Sequence, residues 1–138
     1  MKKFLFLLLI TVLVTLVACN QEDETNSEDS DELKMLEVDF EVPENANVRE
    51  TIDVKAIVTY GDEKVTNADE VEFEYWEEGN EGDSTHVEAN NNEDGTYTTE
   101  IAFDQEGVFE MYAHVTAESL HTMPKKSITV DEIQDGEE

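Results

Sequence analysis

Apolar residues alternate with polar ones over most of the chain. Leu36, Val38, Phe40 and Val42 recur at every second position, as do Ile52, Val54, Ala56, Val58 and Tyr60. Val71, Phe73 and Tyr75 form a third set, and Phe109, Met111, Ala113 and Val115 a fourth. Successive side chains of a strand point to opposite faces, so a period of two predicts strands with one face buried. The runs are separated by turn formers: Pro43–Asn47, Tyr60–Asp62, Glu78–Asp83, Asn90–Gly95 and Asp104–Gly107. No intervening segment holds a helical period. Short strands punctuated in this way over about a hundred residues predict an all-β fold, an antiparallel β-sandwich of immunoglobulin-like type.

The pattern breaks at the N-terminus. Lys2 and Lys3 precede an apolar stretch from Phe4 to Val17, followed by Leu16-Val17-Ala18-Cys19 at its end. A basic start, a short apolar run and small residues at its close have the layout of a secretory signal peptide. The run is shorter than the ~20 residues that span a bilayer as a helix. The four-residue motif resembles the bacterial lipobox, which implies lipidation at Cys19 and cleavage in front of it. Cys19 is the chain's single cysteine, so no intrachain disulfide can form.

Asn20–Glu32 (NQEDETNSEDSDE) has no apolar side chain to offset the entropy of ordering, which predicts a disordered, self-repelling acidic tether. The expected organisation is a signal peptide over 1–18, a lipidated tether over 19–34, a sandwich domain over 35–130 and an acidic tail over 131–138. The expected location is the extracytoplasmic face of a bacterial cell membrane.

Charge narrows the partners. Thirty-six Asp and Glu against eight Lys and Arg give a net charge of −28 over 138 residues. Nucleic-acid binding relies on clustered Lys and Arg, so no nucleic acid is expected. The charge favours a soluble monomer. Catalytic signatures are absent: there is no glycine-rich phosphate loop, no H-E-x-x-H and no G-x-S-x-G. A binding module, not an enzyme, is the expectation. Asn90, Asn92, Asp94 and Gly95 imitate a calcium loop, but the register puts Ile101 where a bidentate Glu is required. Asp94-Gly95 reads instead as a hairpin turn.

Candidate chemistry gathers in FEMYAHVTAESLHTMPKK, residues 109–126. If Met111, Ala113 and Val115 face the core, Tyr112 and His114 face away from it. A reversal near Ala117–Ser119 returns His121 towards His114, with Met123 on the same side. His86, the third histidine, lies between two hairpins and is a candidate for the same rim. Imidazoles with a thioether suit copper or another soft metal. Trp76 has the opposite parity to Val71, Phe73 and Tyr75, which makes it either a core residue or an aromatic open to a ligand. The alternative to metal binding is a protein-interaction or assembly module at the cell surface.

VEFEYWEEG, then His86, then EDGTYTTEIAFDQEGVFEMYAHVTA, then LHTMP resemble the YtkA-like domain of bacterial surface lipoproteins, related to the FixH family. The similarity runs over about Leu36–Val130. It implies an immunoglobulin-like sandwich on a lipid anchor. The FixH relatives lie near the assembly of copper-containing respiratory oxidases, so the resemblance adds weight to copper at His114, His121 and Met123. Those relatives carry a transmembrane helix that this sequence lacks, and a direct role in oxidase assembly does not carry over.

Overall fold

The computed structural model describes residues 33–133. Cys19, the leader and the first part of the acidic tether lie outside the described residues.

Among the described residues, eleven strands form two sheets. They are β1 (Leu36–Glu41), β2 (Asn45–Asn47), β3 (Thr51–Tyr60), β4 (Glu63–Lys64), β5 (Glu70–Glu77), β6 (Thr85–Glu88), β7 (Asn90–Asn91), β8 (Thr96–Ala102), β9 (Gly107–Ala117), β10 (Leu120–Thr122) and β11 (Lys125–Asp131). One sheet has the order β1-β3-β8-β7, with β4 beside β3. The other has the order β2-β11-β9-β5-β6, with β10 beside β9. All pairings are antiparallel except β2 with β11. Among the described residues there is a single 3₁₀ turn, Glu81–Asp83, and no α-helix. The sandwich expected from the alternation is the fold observed.

The core is the set of alternating positions. Ile52, Val54, Ala56 and Val58 of β3 meet Val71 and Phe73 of β5 and Met111, Ala113 and Val115 of β9, all buried in one cluster. Leu36, Val38 and Tyr60 pack at its margin. Phe40 of one sheet stacks on Phe73 of the other, ring centroids 5.7 Å apart. A fully buried Phe or Val contributes roughly 1.5–3 kcal/mol relative to exposure, so this interface is the main source of stability.

Two local features position the site. The hydroxyl of buried Tyr97 donates to the Val65 carbonyl at 2.9 Å and accepts from the Ala68 amide at 3.0 Å, fixing the loop that enters β5. The β9–β10 hairpin pairs Leu120 with Ala117, leaving Glu118 and Ser119 as a two-residue loop with φ of 51° and 62°. Two consecutive positive φ values are the mark of a type I′ turn, whose twist matches that of the flanking strands.

Pro43–Asn47 was expected to be only a turn. Asn45–Asn47 instead form β2, parallel to Thr129–Asp131 of β11. The ladder is backbone to backbone, and a three-residue strand with one buried apolar residue, Ala46, leaves no period for a sequence pattern to register.

Candidate functional site: a histidine row on the outer face of one sheet

Because β5 and β9 turn Val71, Phe73, Met111, Ala113 and Val115 inward, their alternate residues face out. On β9 these are Glu110, Tyr112, His114 and Thr116; on β5 they are Glu72, Glu74 and Trp76. The register sets Glu72 opposite His114 and Glu74 opposite Tyr112. On the other side of β5, Glu74 is opposite His86 of β6. On the other side of β9, His121 of β10 is opposite Thr116.

All three histidines of the chain therefore stand on one face. His114 is in the middle, its ring centroid 6.4 Å from that of His86 and 5.8 Å from that of His121. The row continues through Tyr112, 5.6 Å from His114. Met123 follows β10 and is 42% exposed.

Carboxylates hold the imidazoles. His114 Nε2–H donates to Glu74 Oε2 at 2.7 Å, and His86 Nδ1–H donates to Glu72. Glu74 Oε1 also lies 3.5 Å from His86 Nε2. His121 Nδ1 shares a hydrogen bond of 2.9 Å with the Thr116 hydroxyl. The hydrogen bond from His114 holds the Glu74 carboxyl below its usual value of 4.5; burial opposes this, and Ser84 and the charge of His86 assist. The Glu72 hydrogen bond raises His86 above its usual 6.5 against the effect of desolvation, helped by the charges of Glu72 and Glu74. Among the described residues, no three His, Cys, Asp or Glu side chains are grouped so that they could hold a metal ion. The histidines form an open row with carboxylates behind them.

Trp76 is only 2% exposed, so of its two readings, core residue or aromatic open to a ligand, burial favours the first. It is buried on the outer face of its sheet and is not part of the inter-sheet cluster. Tyr112 packs at 5.1 Å, the Lys125 ammonium lies 5.5 Å from its ring, and Trp76 Nε1–H donates to Glu110 at 3.1 Å. Lys125 also pairs with Glu110 at 2.9 Å, so a small polar cap shields the indole.

The sequence reading missed Glu72 and Glu74. Their parity with His114 was visible in the β5 alternation, but among thirty-six acids nothing distinguished them until the register placed them opposite imidazoles.

Residues 30–114 match the family model described as YtkA-like. The chain belongs to the YtkA-like family. The match takes in β1 to the middle of β9, including His86 and His114, and ends before His121 and Met123. No curated protein matches this YtkA-like chain. Among solved structures, an engineered protein superposes with a TM-score of 0.54 at 10% identity. The alignment covers 70% of this chain and 20% of the engineered one, so the YtkA-like chain spans about a fifth of that protein's length. A variant of superoxide reductase (neelaredoxin) from Ignicoccus hospitalis superposes with a TM-score of 0.50 at 16% identity, covering 80% of this chain and 92% of that one. These likenesses are of fold.

Proposed function

We propose that this YtkA-like chain is a non-enzymatic binding module, held by lipid on Cys19 at the extracytoplasmic face of a bacterial cell membrane, which binds copper or another soft metal at His114, His121 and Met123. The observation that carries the metal reading is the alignment of all three histidines on one face, with His114 and His121 5.8 Å apart. The type I′ tip is what brings His121 back beside His114, and exposed Met123 follows it by two residues. Two imidazoles and a thioether are a donor set that suits Cu(I), because sulfur selects the softer ion. Tyr112 and the capped Trp76 give the row a rigid flank.

The anchor reading rests on the lipobox-like Leu16–Cys19. Among the described residues no helix is long and apolar enough to cross a membrane. The strand orders β1-β3-β8-β7 and β11-β9-β5-β6 support the immunoglobulin-like class, since they lay out as its ABED and GFCC′ sheets. The kinship with FixH proteins stands with the copper reading as part of the proposal.

The test is a copper(I) titration of the full-length Cys19→Ser chain, which removes the competing thiol, at high salt to suppress loose association with surface carboxylates. One equivalent bound, with marked weakening in His121→Ala, supports the reading. Uptake without stoichiometry, or unchanged in that variant, refutes it.

A further inference from the structure

We propose that the outer edge of β6 is a docking site for an extended segment of a basic partner protein, added as a further strand with a Lys or Arg side chain entering the acidic cavity beside Glu88. The proposal uses neither His121 nor Met123 and does not depend on the copper reading.

β6 is the last strand of its sheet. The Ala89 N–H donates to the Val71 carbonyl at 3.0 Å, and the register pairs Val87 with Phe73 and Thr85 with Tyr75. In an antiparallel ladder the N–H and C=O of one residue point to the same side, and successive residues alternate sides. Thr85, Val87 and Ala89 therefore direct theirs to β5, while His86 and Glu88 direct theirs away from the sheet. Backbone groups aligned in this way are a template for one more strand. Thr85–Glu88 contains neither Pro nor Lys, the residues that guard many edges. An added antiparallel strand places two of its residues opposite His86 and Glu88 on the outer face, with the residue between them beside half-buried Val87.

The charge beside this edge says what the strand carries. Glu72 and Glu88 are cross-strand partners, two like charges in register, an arrangement that destabilises a ladder. Together with Asp69 and Glu70 they line an open cavity of about 370 Å³ where β5 begins and β6 ends, with Val71 and Ala89 among its apolar residues. No Lys, Arg or His lines it. Among the described residues, Asp69, Glu70 and Glu88 have no ion-pair partner, and Glu72 has only His86. A Lys or Arg side chain suits such a place, its apolar stem along Val71 and Ala89 and its charged head among the carboxylates.

Edge and cavity together supply both parts of strand addition: main-chain hydrogen bonds give affinity, and a pocket for a side chain gives specificity. A second copy of this chain is a poor occupant, because it brings the same acids and another net charge of −28 to the same edge. A basic strand removes the repulsion between Glu72 and Glu88 as it binds.

The probe is a short capped peptide of alternating Val and Thr with one central Thr replaced by Lys, titrated at low salt into the isotope-labelled full-length Cys19→Ser chain. The expected result is that the amide protons of His86 and Glu88 gain protection from exchange, whereas those of Thr85 and Val87, already bonded to β5, keep theirs. The same peptide with Glu in place of Lys should bind at least about tenfold more weakly, and Glu88→Gln should weaken the Lys peptide about fivefold. His86→Pro removes an outward N–H and no ladder bond, so it should abolish docking, while His86→Ala keeps that N–H and should not. Melting curves establish that each variant is folded; Glu88→Gln alters an exposed side chain and keeps the test valid should His86→Pro unfold. A Glu peptide that binds as well as the Lys peptide, or no protection at His86 and Glu88 at high peptide concentration, overturns the proposal. So does full displacement of the peptide by lysine amide without any change at those two amides, the mark of a free-cation site. His121→Ala should bind the peptide unchanged while losing copper(I), so failure of the copper reading leaves this one standing.

Discussion

His114 and His121 stack 5.8 Å apart across a hairpin in which neither is the other's register partner. His121 is opposite Thr116, and the ring reaches His114 on the diagonal. Such diagonal neighbours are within reach only of aromatic and long side chains. The pairing thus depends on the hairpin holding its register, and so on the two residues at the tip.

Those two residues, Glu118 and Ser119, take the left-handed conformation that Asn and Gly adopt at lower cost. Replacing them with Asn-Gly should raise stability by about 1 kcal/mol, read as an upward shift of the denaturation midpoint with an unchanged slope. Ser119→Gly alone should capture part of the gain, because the turn needs φ of 62° there.

Tyr97 predicts the opposite sign. Tyr97→Phe keeps the buried ring but leaves the Ala68 amide and the Val65 carbonyl without their hydroxyl partner. A loss of about 1–3 kcal/mol is expected in urea unfolding. The entry to β5 should loosen too, seen as faster amide exchange at Ala68.

The pH dependence follows from two shifts of opposite kind. Glu74 is held below its usual 4.5 in the folded state, so its contribution is present above that value and disappears as pH falls through the lowered pKa. His86 is held above 6.5, so its contribution is complete below 6.5 and disappears as pH rises through the raised pKa. Wild type minus Glu74→Gln should therefore show a stability difference, on the order of 1 kcal/mol, that vanishes in acid. Wild type minus Glu72→Gln should show one that vanishes at alkaline pH. Urea midpoints across the range measure both, and a Glu74 difference that fails to shrink as the pH falls into the acid range would contradict the assignment.

On the other sheet, Asp53 of β3 lies directly opposite Glu100 of β8, two like charges in register. Such pairs are destabilising by up to about 1 kcal/mol. Glu100→Lys should stabilise by about that amount at low salt. The gain should fade near 1 M salt, where the screening length is about 3 Å.

The alternating sets of β1, β3, β5 and β9 were legible because burial on one face writes a period of two into the sequence. The same parity placed His114 outward and made its approach to His121 foreseeable. Register between strands distant in the chain is not written locally. For that reason the pairing of Glu74 with His86 on one side and Tyr112 on the other, forty residues away for His114, could not be read from the chain. Trp76 shows the limit of parity: it faces outward as the alternation requires, yet Tyr112, Lys125 and Glu110 bury it. The three-residue strand β2 offers a single apolar position, Ala46, which is too short a run to show a period.

The central claim is that copper(I) sits on the histidine row with sulfur among its ligands. X-ray absorption at the copper edge of the copper(I)-loaded full-length Cys19→Ser chain tests it most directly. The account predicts a nearby sulfur shell together with imidazole scattering, the sulfur disappearing in Met123→Leu and the imidazole signal diminishing in His114→Ala and His121→Ala. A first shell of oxygen alone, or a spectrum unchanged by all three substitutions, would contradict it.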